Sequence, residues 1–250
     1  MLVSVRLPEP LRGRYGQDAG ESFETPELAR PLFPLVGAAL GLCAFVPAWM
    51  LLRVPGNPAA ALVCGIAIPA VLEFITKGRN LAAFCAYLEA RWHGATQAEA
   101  LYKAPETGFD EAKSPSGMIL ILSVYILRAA CFGLLVACGH PAWFIVAFAG
   151  AKAVQAHLAS LPAPSGGVPL IEAPERMENS HWLYAAAAML IGGIAVLPAS
   201  IAALAVSWLL AKWLGSRCLS QLGCVNGRAL LASGCAAECL LLLLGVLLLA

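Results

Sequence analysis

The sequence predicts an all-helical bundle embedded in a lipid bilayer, a single integral membrane domain with about seven transmembrane helices, six being the other count it allows. Three observations predict it. Residues 32–53, 58–75, 118–138, 142–161, 182–198, 199–214 and 229–250 are apolar runs of spanning or near-spanning length, since about 20 residues at a rise of about 1.5 Å cross a hydrocarbon core. The chain is 60% hydrophobic and 12% charged, with a mean hydropathy of +0.78, which fits no soluble class. Its Lys and Arg residues also collect in alternate connections, the pattern of a polytopic protein with one basic face.

Residues 1–31 are polar and hold Arg6, Arg12, Arg14 and Arg30. They lack the apolar stretch of a cleavable signal. Pro8 and Pro10 argue against a helix at the start, and Asp18, Glu21, Glu24 and Glu27 suit a solvated interfacial segment. The first two apolar runs are interrupted by Pro47 and Pro69. Residues 76–117 form the main polar connection. Its 80–103 portion lacks proline, is rich in Ala, Leu and Glu, and predicts a short helix at the membrane surface. Pro105, Gly108 and Pro115 then mark a loop. Residues 162–179 read as an irregular loop. Residues 182–214 read as two short spans broken near Pro198, or as one long tilted helix. The 215–228 connection ends in the tight turn GCVNGR before the last helix.

The N-terminal segment, the 76–117 loop (Lys77, Arg79, Arg91, Lys103, Lys113), the 162–181 loop (Arg176) and the 215–228 turn (Arg217, Arg228) carry the basic residues. The turns at 54–57 and 139–141 have none, although Arg53 borders the first. Seven spans place the basic segments on one face, expected to be cytoplasmic, with the N-terminus inside and the C-terminus outside. Trp143, Trp182 and Trp213 fall at expected interfaces and read as belt anchors.

A net charge of +1 gives no electrostatic case for nucleic acid. The nine cysteines form no C-x-x-C pair and lie mostly in apolar runs, so they read as small packing residues rather than a zinc or disulfide site. No Walker loop, nucleophile elbow or H-E-x-x-H is present.

Charges inside apolar runs are the exceptions to explain, because each costs roughly 3 kcal/mol at mid-bilayer on the insertion scale. Arg128 is mid-span, and Glu238, about half-way down the last span, is its expected partner. Glu73 lies near a span end, where it is either functional or paired with Lys77 at i+4. Lys152 is expected to reach the loop face, and His157 to be a satisfied packing histidine.

Four segments, in order, resemble the cobalamin synthase family, the adenosylcobinamide-GDP ribazoletransferases of the bacterial inner membrane. RLPEP at 6–10 and FPLVGAALGL at 33–42 match an RLP-type start followed by FPLVG and a glycine-spaced helix. TKGRNLAAFCAYLEA at 76–90 sits where the family has a TGGLHLDGLADTADG-type acidic motif. KSPSG at 113–117 takes the place of DSRIG, and GCVNGRALLASGCAAE at 223–238 that of GGVTGDVLGAAEELSE. Gly223, Val225, Gly227 and Glu238 fall in register in the last.

The resemblance implies transfer of α-ribazole, or its phosphate, onto adenosylcobinamide-GDP with release of GMP, and it implies Mg²⁺. The chain departs from the pattern where that metal would bind. Asn80 stands at the family's histidine, Ala82, Ala86 and Glu89 at three aspartates, and Lys113, Pro115 and Arg228 at Asp, Arg and Asp. Carboxylates holding hard Mg²⁺ neutralise charge that builds on phosphoryl oxygens. Replacing them by Ala removes ligands, and by Lys or Arg reverses the sign. The metal site is therefore expected to be absent or weakened, with no residue assigned to metal. Glu89 and Glu73 remain as candidate catalytic carboxylates. Lys77, Arg79, Asn80, Lys113, Ser114, Asn226 and Arg228 are candidate phosphate-side groups, since cations take over part of a metal's role toward phosphate. Gly78, Gly117, Gly223, Gly227, Arg128 and Glu238 are assigned structural roles. Three functions stay open: a ribazoletransferase or its descendant, a non-catalytic membrane subunit binding a corrinoid or a partner enzyme, and a small transporter.

Overall fold

The computed structural model describes residues 29–53, 59–94, 115–161, 179–222, 224–225 and 227–250. All their regular structure is helical. The helices are α1 (Ala29–Leu52), α2 (Ala60–Thr76), α3 (Arg79–Trp92), α4 (Pro115–Ala137), α5 (Trp143–Ala159), α6 (Ser180–Gly192), α7 (Leu197–Leu222) and α8 (Gly227–Leu249). Each of the seven apolar runs has become a helix. Four segments, Arg30–Leu52, Pro115–Ala137, Ile194–Ser220 and Gly227–Leu249, are long and apolar enough to cross a membrane, and the bent pair α2–α3 qualifies only as a unit. The chain is an all-helical polytopic membrane protein.

α5 is the centre of the bundle. Every residue from Val146 to Ala159 is buried, as expected of a helix whose faces are apolar apart from Lys152, Gln155 and His157. Its neighbours are seated by close contacts that also give direction. Gly37 of α1 meets Phe148 and Lys152, and Gly41 meets Phe144 and Ile145, so α1 and α5 run antiparallel. The Trp143 indole Nε1 donates to the Leu241 carbonyl at 2.8 Å and Gln155 Nε2 to the Leu230 carbonyl at 3.0 Å, which sets α8 antiparallel to α5. Gly192 of α6 lies on Ile145 and Met189 on Gly150, again antiparallel, whereas α7 runs with α5, Ser207 lying at Gly150 and Gly215 at Leu158 and Leu161. On the other side, Tyr125 of α4 donates to the Ile66 carbonyl of α2 at 2.7 Å, and Gly65 rests against Ala129 and Gly133.

Successive apolar helices therefore alternate in direction. The start of α1, the α2–α3 bend, the start of α4, the end of α5, the start of α6, the end of α7 and the start of α8 lie at one end of the bundle. Of the basic residues that the sequence reading put on one face, Arg30, Lys77, Arg79, Arg217 and Arg228 are described and belong to these ends.

Three boundaries differ from the sequence reading. The break in 182–214 falls at Gly193 and the 3₁₀ turn Ile194–Val196, not at Pro198. That proline occupies the first turn of α7, where its missing N–H removes no helical bond. α7 then continues to Leu222, so Arg217 rides on a helix with its guanidinium 5.8 Å from the Trp213 ring centroid. The surface helix ends at Trp92, and 95–103 lie outside the described residues.

Trp143 corrects a further expectation. It is fully buried between α5 and α8 rather than anchored at an interface, because a carbonyl of α8 supplies the partner that its N–H would otherwise seek at the membrane surface.

Candidate functional site

The bend between α2 and α3 is built by two residues. Lys77 (φ 56°, ψ 27°) and Gly78 (φ 63°, ψ 11°) are both left-handed. The Gly78 N–H donates back to the Glu73 carbonyl at 2.8 Å, a helix-ending geometry. The chain turns through 95°, and α3 is laid across one end of the bundle. Its buried Leu81 and Cys85 pack with Val124, Cys235 and Cys239 of α4 and α8.

This bend brings Glu73, Thr76 and Asn80 around a narrow cleft whose other walls are Leu40, Leu72, Arg128, Phe148, Lys152, Cys235 and Glu238. Arg128 is its focus. Nη1 donates to Glu73 Oε1 and Nη2 to Glu238 Oε1, two ion pairs from one guanidinium. Arg128 is 2% exposed and Glu238 7%, so neither charge would be tolerated there unpaired. The expected pairing of Arg128 with Glu238 is present, and Glu73 joins it. Glu73 is thus not paired with Lys77, since the helix ends at Thr76 and the i+4 geometry ends with it.

Lys152 corrects its expectation as well. It is buried, and its Nζ donates to Gln155 Oε1 at 2.6 Å instead of reaching a loop. Gln155 in turn bonds the Leu230 carbonyl of α8. A Cβ added at Gly234 would fall 2.0 Å from Gln155 Nε2, so glycine there makes the room this amide occupies. Two cations and two carboxylates face one another, and the cleft is formally neutral. The sequence reading missed Gln155 altogether. Its signal was an uncharged polar residue three positions after Lys152 in an otherwise apolar run.

Glu89 does not line the cleft. Ser116 Oγ at the start of α4 donates to Glu89 Oε1 at 2.7 Å, with His93 Nε2 3.4 Å from the same hydroxyl. Lys77 and Arg79 are exposed, Gly78 and Gly117 are buried, Gly227 opens α8, and Arg228 beside it is partly buried. None of these lines the cleft. Lys113, Ser114, Gly223 and Asn226 lie outside the described residues. His157 packs against His181 and Trp182, with ring centroids 5.8 and 6.0 Å away. Its Nδ1 is buried with no hydrogen-bond partner among the described residues, so it packs without being fully satisfied.

The donor set does not suit Mg²⁺, which demands several oxygen ligands in near-octahedral array. The positions on α3 at i, i+4 and i+7 that share one face are Ala82, Ala86 and Glu89, two of them without a donor. Glu73 and Glu238 are each engaged by Arg128. Among the described residues no group of three or more His, Cys, Asp or Glu side chains is placed to hold a metal ion.

A family model described as cobalamin-5-phosphate synthase matches residues 6–247, nearly the whole chain. No curated protein and no solved structure matches it. The order of the four motif segments and the extent of that match agree, and the chain belongs to the cobalamin-5-phosphate synthase family.

Proposed function

We propose that this protein serves the ribazole-transfer step of cobalamin assembly as a non-catalytic, corrinoid-binding subunit of the bacterial inner membrane, without Mg²⁺-dependent transfer of its own. Family membership supports the pathway. The observation that carries the lack of Mg²⁺-dependent transfer is the bridge in which Arg128 engages both Glu73 and Glu238, while Ala82 and Ala86 stand at aspartate positions of the family pattern; corrinoid binding is proposed from family membership alone. Phosphoryl transfer needs positive charge aimed at the phosphoryl oxygens, and Arg128 is committed to two carboxylates. One feature favours a second reading, transfer driven by side-chain cations: Lys152 lines the same cleft as Asn80.

The test is purified protein in lipid nanodiscs with adenosylcobinamide-GDP and α-ribazole phosphate, with Mg²⁺ or with EDTA, following GMP release and corrinoid binding. Saturable corrinoid binding without GMP supports the proposal. GMP release in EDTA establishes the second reading. GMP release that requires Mg²⁺ defeats both.

A further inference from the structure

We infer that Arg128 is the resident cation of this cleft, set between two acidic side chains where a divalent ion would otherwise balance them, and that the protein is consequently indifferent to divalent metals. The inference rests on the family reading above and deepens it.

Glu73 comes from α2 and Glu238 from α8, helices that are not neighbours in sequence, yet both deliver an oxygen to one guanidinium on α4. A planar fork with several N–H donors suits two carboxylates at once. Lys152 adds a second positive charge to the same cleft. An entering divalent cation would meet two buried cations and no excess of negative charge. Of the cleft's four carboxylate oxygens, two accept from Arg128, and Glu73 Oε2 is buried with no hydrogen-bond partner among the described residues. That remainder falls short of what Mg²⁺ requires.

Mn²⁺ serves as the probe, read by electron paramagnetic resonance on wild-type protein in nanodiscs, together with thermal unfolding in EDTA and in Mg²⁺. The wild type is expected to leave the Mn²⁺ signal that of the free ion and to unfold at the same temperature in both solutions. Arg128→Met leaves two carboxylates facing each other. It is expected to bind Mn²⁺ saturably and to gain several degrees in Mg²⁺, effects lost in R128M/E73Q/E238Q. Saturable Mn²⁺ binding by the wild type, abolished by Glu238→Gln, overturns the inference. So does an Arg128→Met protein that folds and ignores Mn²⁺. The wild-type measurement decides the matter where Arg128→Met does not accumulate. The two readings fail separately: wild-type Mn²⁺ binding without GMP release defeats this inference alone, and GMP release in EDTA defeats the non-catalytic reading alone.

Discussion

Arg128 is the residue on which the interior depends. Removing one member of a buried ion pair strands the other charge in an apolar setting, at a cost of about 3–5 kcal/mol. Arg128→Met should therefore lower the unfolding temperature sharply. R128M/E73Q should recover most of the loss, because it leaves Glu238 facing Lys152 in a formally neutral cleft. Differential scanning calorimetry of the three proteins checks this, and a double variant no better than the single would show that charge is not the cause. Lys77 gives a second test at this scale. It is the one described non-glycine residue with positive φ, and it stands where the quoted TGG motif has glycine. Left-handed backbone costs an L-residue about 1–2 kcal/mol, so Lys77→Gly should hold or raise thermal stability and Lys77→Val should lower it. The Arg128–Glu238 pair was legible in sequence, since a mid-span ion needs a counter-ion and both residues fall half-way along apolar runs. Glu73 as the third member was not. Its legible neighbour was Lys77, and only the left-handed backbone at that residue takes the lysine out of helical register.

Among elements, α1 and α5 approach backbone to backbone, and the reason is visible in the chain. Gly37 and Gly41 are four apart, a spacing that puts two small residues on one helix face and lets backbones meet where lipid supplies no hydrophobic drive. A Cβ at Gly37 would lie 2.3 Å from the Phe148 carbonyl oxygen, and one at Gly41 2.5 Å from Ile145 Cα. Backbone cannot rotate aside as a side chain can. Gly41→Leu should thus force the helices apart and destabilise by about 1–3 kcal/mol, whereas Ala39→Leu, on an exposed position of the same helix, should be close to neutral. Equal losses in thermal unfolding would refute close helix packing as the cause. Existence and type of all seven apolar helices were legible because an apolar run in a bilayer must satisfy its own backbone hydrogen bonds, and a helix does so. The break at Gly193 was not, since Pro198 gave the louder signal and a first-turn proline breaks nothing. The site was less legible than the helices. In the register of the quoted motif, Gly234 and Cys235 stand at two glutamates, and what fills the space beside Gly234 is the side chain of Gln155, which lies on α5, far earlier in the chain. No local pattern announces such a replacement.

For the whole molecule, alternation and charge make one prediction together. The contacts of α5 with α1, α6, α7 and α8 and of α2 with α4 place Pro115, which follows Ser114 in sequence, and Ser220 toward one end of the bundle and His140, in the α4–α5 turn, at the other. Basic residues cluster at the first end, and connections rich in Lys and Arg stay cytoplasmic. Single cysteines at Ser114, Ser220 and His140, in a background with Cys43, Cys138 and Cys224 changed to Ala, report the arrangement through a membrane-impermeant maleimide. H140C should react from outside in intact cells, and S114C and S220C only after permeabilisation. Reaction of S114C and S220C from opposite faces would break the alternation itself, and with it the helix directions read from the packing. A complete inversion, with S114C and S220C outside and H140C inside, would keep the bundle and defeat the cytoplasmic reading. The cleft would then lie toward the outer end, because Glu73, Thr76 and Asn80 are tied to the α2–α3 bend and move with whichever face that bend occupies.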